Sequence, residues 1–71
     1  MESYERIKHL REENGYSVLE IARLLNSTPR QVRKWESGEV KMRFRHYIRL
    51  AQFYNVSLDY IAGFTNERLT Q

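Results

Sequence analysis

The chain contains no cysteine, so neither a disulfide nor a thiolate zinc site can hold it together. Its two histidines, His9 and His46, lie far apart without ligand spacing, so no metal and no cofactor is expected. Long apolar runs are missing too. The first ten residues, MESYERIKHL, are charged and helix-like, unlike a secretory leader or a membrane span. There is no nucleophile–base arrangement and no glycine-rich phosphate loop, and Glu12-Glu13 reads as solvated helix surface. An enzyme is therefore not expected. With one proline and three glycines, each of these residues carries positional meaning. A chain of 71 residues buries only about 60% of its unfolded surface, so its core must be compact and its helices well capped. These features indicate a single domain over residues 1–64 with a frayed tail over 65–71, in a cytoplasmic protein of bacterial or phage origin.

Acidic residues are scarce in the middle third. Residues 1–22 hold three cations against five acids, a net of −2. Residues 23–49 hold eight cations against Glu36 and Glu39, a net of +6, and residues 50–71 return to −1. A basic block between mildly acidic ends points to a polyanionic partner, with a solvated cationic surface as an equal alternative on charge alone.

What is present in quantity is helix punctuation, and nothing alternates like a strand. Ser3 can open a first helix with Ile7 and Leu10 on one face, stopped by Asn14-Gly15. Ser17 with Glu20 forms a capping box for a second helix over about 18–25, with Ile21, Ala22 and Leu25 inward. Asn26-Ser27 breaks the chain. Thr28 caps a third helix over about 29–37, with Pro29 at its first position and Gly38 after its end. A fourth helix is expected from Met42 to Tyr54, with Phe44, Tyr47, Ile48, Ala51 and Tyr54 inward and Asn55 as a left-handed stop. Ser57 caps a short fifth helix with Leu58 and Ile61 inward, closed by Gly63. The spacing predicts an all-α fold of five short helices.

The segment TPRQVRKWESG (28–38) is the most informative. At about 100° per residue, Val32 and Trp35 share a core-facing arc, while Arg30, Arg33 and Lys34 centre on the opposite side. Gln31 sits at the border, and no acid of this helix shares the cationic arc. Arginine offers a planar fork for guanine edges, and lysine and glutamine serve phosphates or other base edges. The second helix begins eleven residues earlier across a break of a couple of residues, which is helix-turn-helix spacing. Glu36 flanks Val32 and needs a partner once partly buried. Arg11 is the candidate, a structural ion pair between the first and third helices.

RIKHLREENGYS (6–17), EIARLLNSTPRQVRKWESG (20–38) and YIRLAQFYNVSLDYIAG (47–63) together resemble the lambda-repressor-like, Cro/CI or Xre-type helix-turn-helix domains. The resemblance implies a compact five-helix fold and sequence-specific binding of double-stranded DNA by a transcriptional regulator, a repressor of phage or mobile-element type. Carried over, it places Thr28, Arg30, Gln31, Arg33 and Lys34 at bases, and Ser17, Ser37, Lys41 and Arg43 at phosphates. It also implies a homodimer at least on DNA, with Val56, Ser57, Leu58 and Tyr60 at the interface. The sequence departs from the family at several positions: Val18 stands for a common DNA-contacting glutamine, Asn26 for the usual glycine, Ser27 for an apolar residue and Met42 for a frequent proline. Leu19 and Leu24, commonly polar, raise an alternative: an antitoxin-type or other protein-interaction module binding through an exposed apolar patch. A non-specific nucleic-acid binder is disfavoured, because Trp35, Tyr47 and Tyr54 fall at core spacing rather than on a stacking platform.

Overall fold

A computed structural model describes residues 1–68, which form five α-helices. They are α1 (Ser3–Glu13), α2 (Val18–Leu24), α3 (Pro29–Glu36), α4 (Phe44–Tyr54) and α5 (Leu58–Ile61). α2, α3 and α5 start where a side chain replaces missing backbone acceptors, whereas Arg43 before α4 supplies no side-chain cap. Ser17 Oγ accepts from the Glu20 N–H at 3.0 Å while the Glu20 carboxylate accepts from the Ser17 N–H at 2.9 Å. Thr28 and Ser57 cap α3 and α5 through the N–H groups of Gln31 and Tyr60. α1 departs from expectation. Glu2 rather than Ser3 is its cap residue, with the Glu5 carboxylate accepting the Glu2 N–H at 3.0 Å. Ser3 is free to place its hydroxyl 3.0 Å from that of Tyr47, tying α1 to α4.

The stops are left-handed residues at Gly15, Asn26, Gly38, Asn55 and Gly63. Asn26, at φ 54°, closes α2: the Ser27 N–H donates to Ala22 O at 2.8 Å and the Asn26 N–H to Arg23 O at 3.2 Å. Asparagine tolerates this conformation because its short side chain intrudes little, so the departure from glycine leaves the turn intact. Gly38 has a second reason to lack a side chain. A Cβ there would stand 3.0 Å from the Tyr4 ring, so Tyr4 covers the end of α3.

The core gathers Ile7 and Leu10 from α1, Ile21, Ala22 and Leu25 from α2, Val32 and Trp35 from α3, Leu50 and Ala51 from α4, and Tyr60 and Ile61 from α5. Met42 is buried as well, but from the loop before α4. This changes the phase expected for the fourth helix. Its inward line runs through Tyr47, Leu50, Ala51 and Tyr54, and Phe44, expected inside, is 66% exposed. In α5 Ile61 is buried as expected and Tyr60 joins it, while Leu58, expected inside, is 39% exposed. Tyr16 packs against the core too, its ring 5.1 Å from that of Phe53 and 6.3 Å from that of Tyr54.

The segment expected to fray is tied down over residues 65–68, and 69–71 lie outside the described residues. The Ser57 N–H donates to Arg68 O, and the Arg68 guanidinium grips Glu13 with two hydrogen bonds, one of 2.9 Å. Arg6 donates to Thr65 O at 3.4 Å and to Asn66 Oδ1 at 3.3 Å, long and weak bonds both. Arg6 is itself buried, its guanidinium 4.0 Å from the centre of the Tyr60 ring. The face of the ring replaces part of the hydration that the cation has lost.

Candidate nucleic-acid interface

α3 is pinned before it is presented. Val32 and Trp35 fix its inner face in the core. Glu36, also buried, meets Arg11 of α1: Arg11 Nε donates to Glu36 Oε2 at 2.8 Å and the terminal Nη2 to Oε1 at 3.1 Å. Arg11 also donates to Tyr16 O at 3.0 Å, so one side chain joins α1, α3 and the chain entering α2. The hydrogen bond to Glu36 and the attraction of its charge hold the Arg11 guanidinium above its usual value. Burial, and then the nearby Glu36 charge, push the Tyr54 phenol up, and its hydroxyl has no partner among the described residues.

With its inner face held, α3 turns Arg30 and Arg33 into solvent and leaves Lys34 half-buried. The three line a shallow groove with Ser37 and Glu39. None of them forms an ion pair among the described residues. α3 itself carries no acid there, but the turn after it returns Glu39 to the edge of the arc, which helical periodicity alone did not reveal. Gln31 lies elsewhere. It opens into a second cleft, on the side of α3 toward the α2–α3 turn and the start of α4, shared with Lys41 and Arg43. The expected base-reading set is thus divided between two neighbouring depressions. Thr28 is exposed, its oxygen occupied by the Gln31 N–H and its hydroxyl proton left to donate.

The expected phosphate positions differ in readiness. Lys41 and Arg43 are exposed. Ser17 already accepts from Glu20 N–H and gives its own N–H to the Glu20 carboxylate, leaving its hydroxyl proton and the first free N–H groups of α2 for an outside acceptor. Ser37 is committed: its hydroxyl donates to Lys34 O at 3.1 Å and accepts from the Glu39 N–H at 3.3 Å. A phosphate there would have to displace the first of these bonds. Two cations were not anticipated. Lys8 of α1 lines a hollow with Val18, Arg33 and Ser37, and Arg45 of α4 joins Lys41 and Arg43. Lys8 stands one turn from Arg11 on α1, and that spacing was a usable signal.

Comparison with known proteins decides the family. The helix-turn-helix family profile matches residues 7–61. The chain belongs to the helix-turn-helix family. Its type is the lambda-repressor-like one of the Cro/CI and Xre proteins, a family of DNA-binding transcriptional regulators rather than enzymes. Among solved structures, it is similar to a transcriptional regulator from Listeria innocua at 33% identity and a TM-score of 0.85. That alignment covers 99% of this chain and 65% of the other, so the chain spans just under two thirds of the length of that regulator. It also shares its fold with the P22 c2 repressor protein, solved in complex with synthetic operator 9T in the presence of Tl+, with a TM-score of 0.80 at 17% identity. That match covers 92% of this chain and 98% of the other. No curated protein matches the sequence.

Two sequence expectations need revision at the periphery. Leu24 is half-buried against the core, which leaves Leu19, 46% exposed, without the neighbour needed for a shared apolar patch. Tyr60, expected at an interface between copies, is buried beneath Arg6 within its own chain. Val56, Ser57 and Leu58 do line an open groove, together with Ile48 and Ala51 of α4.

Proposed function

We propose that this helix-turn-helix domain is a sequence-specific binder of double-stranded DNA and acts as a transcriptional repressor of the phage or mobile-element type, in the cytoplasm. α3 enters the major groove; Arg30, Arg33 and Lys34 address base edges from one side and Gln31 from the other. Thr28 donates its hydroxyl proton at the front of the helix. Lys41, Arg43 and Ser17 hold backbone phosphates, and Ser37 joins them only after releasing Lys34 O. The observation that carries the reading is the outward face of α3: three cations without ion pairs among the described residues, on a helix whose other face is locked by Val32, Trp35 and the Arg11–Glu36 pair. Uncompensated cations repel one another in the free protein, and neutralising phosphates relieves that repulsion as counterions leave. Among the described residues no helix is long and apolar enough to cross a membrane.

The protein binds DNA as a homodimer, a second copy meeting the groove lined by Val56, Ser57 and Leu58. Two copies related by a two-fold axis place their recognition helices on half-sites about one helical turn, or some 10 bp, apart. The test is selection of bound duplexes from a randomised pool at physiological salt. Enrichment of a palindrome with half-sites one turn apart is the expected result. A single half-site would remove the dimer and keep the specificity. No enrichment, with binding that vanishes as salt rises, would sink the sequence-specific reading and turn attention to Leu19 and a protein partner.

A further inference from the structure

The cleft entered by Gln31 encloses about 430 Å³ between the α2–α3 turn and the start of α4. Its cations are Lys41, Arg43 and Arg45, and no carboxylate lines it. His46 completes the set. The imidazole is half-buried, with its ring centre 4.8 Å from that of Trp35 at 43°. It makes no hydrogen bond to another described side chain. The groups around it are Gln31 and Trp35 from α3, Asn26 and Ser27 from the turn, and Lys41 from the loop, with Arg43 and Arg45 flanking α4's first turn. None of these can neutralise an imidazolium. Burial, then Arg45 and Arg43, hold His46 below its usual value of 6.5, so the free protein carries it neutral at pH 7.

We propose that this cleft seats a backbone phosphate of duplex DNA and that His46 is a further DNA ligand, taking up one proton from solvent as the phosphate docks. The inference rests on the reading of the chain as a DNA binder and adds a residue and a proton to it. A phosphate between Arg43 and Arg45 cancels the repulsion that keeps the ring neutral. The protonated ring then donates a charge-assisted hydrogen bond to a phosphate oxygen. Trp35 limits where the ring can move, so the donor is held in place rather than recruited from solvent. The sign of the linkage follows. Between the low value of the free protein and the higher value of the complex, binding takes up protons and affinity rises as pH falls. The limit is about tenfold per pH unit for a single proton.

The experiment is titration of the preferred duplex against the full chain at fixed salt, from about pH 8 to about pH 6, a range in which histidine titrates and carboxylates do not. Wild type should gain several-fold in affinity toward the acid end. His9→Gln, which removes the other histidine, should show the same gain. His46→Gln should be flat, and its deficit relative to wild type should widen toward pH 6. Its fold is checked by thermal melting. A flat wild-type profile, or an undiminished slope in His46→Gln, overturns the proton-taking seat while leaving DNA binding intact. Absence of binding at every pH overturns this inference together with the DNA reading.

Discussion

The side of the molecule built from α1, α5 and the C-terminal residues handles charge differently from the face built around α3. On the first side the cations are used internally. Arg11 closes on Glu36, Arg68 grips Glu13, which also meets His9 at 3.1 Å, and Arg6 lies over Tyr60. On the second, Arg30, Arg33, Lys34, Lys41, Arg43 and Arg45 have no ion pair among the described residues. The same residue types therefore have two outcomes. Where a cation has a partner within the fold, it fixes one helix against another. Where several cations share a surface without partners, they repel one another and favour an external polyanion. Arg6 shows how strictly the first side is built: among the described residues its buried Nε has no acceptor, and the Tyr60 face and two long bonds replace part of its hydration.

The contrast can be tested by removing charges from each side. The largest effect is expected inside. Glu36→Ala leaves the Arg11 guanidinium largely buried without its carboxylate, which typically costs about 3–5 kcal/mol. Chemical denaturation should show that loss, and a loss under about 1 kcal/mol would mean that Arg11 finds water or another acceptor. On the other face, Arg30→Ala should leave stability within about 0.5 kcal/mol. It should weaken binding to the preferred duplex by about 1–3 kcal/mol and relax one position of the selected motif. An equal loss on every sequence would make Arg30 a phosphate contact. Lys41→Ala should weaken all sequences alike and reduce the salt slope of binding by roughly one unit. An unchanged slope would take Lys41 out of the interface.

Arg68→Ala should have the smallest effect, since Arg68 and Glu13 are both well exposed and solvent screens the pair. Its pH dependence is still informative. The Arg68 hydrogen bond holds the Glu13 carboxyl below its usual value of 4.5. The folded state thus binds the proton less readily than the unfolded chain. The stabilisation is present at neutral pH and is lost as pH falls below about 4.5 through the lower folded value. Melting temperatures of wild type and Arg68→Ala should converge on acidification. A constant gap would assign the effect instead to the Arg68 guanidinium over the Tyr60 ring, 5.4 Å from its centre.

Several elements of this fold could be read from the chain because their causes are local. Ser17-x-x-Glu20, Thr28-Pro29 and Asn55 each set a helix end within a few residues, and α2 and α3 fall within a residue of their expected bounds. α4 resisted the same treatment. Phe44, Tyr47, Ile48, Leu50, Ala51, Phe53 and Tyr54 spread apolar groups around most of its circumference, so periodicity could not choose which stripe faced in. The buried Met42 and Leu50 and the exposed Phe44 settle that choice. Among the residues proposed to meet DNA, the outward cations of α3 were legible from the wheel. The separation of Gln31 from them, the commitment of Ser37 to Lys34 O and the arrival of Lys8 and Arg45 were not.

By itself, then, the sequence determined the number of helices, the caps of α2, α3 and α5, the spacing of α2 and α3, and the sign of the α3 surface. All of these depend on interactions between residues one or two helical turns apart. Only the tertiary structure decided that Arg6 is buried, that the segment from Thr65 to Arg68 is tied down, and that His46 lies against Trp35 in a cleft without acids. Arg6 meets acceptors about sixty positions away along the chain, and such contacts leave no periodic trace. They exist because the helices pack in one arrangement, whose energy is shared among segments that say nothing of one another until they meet.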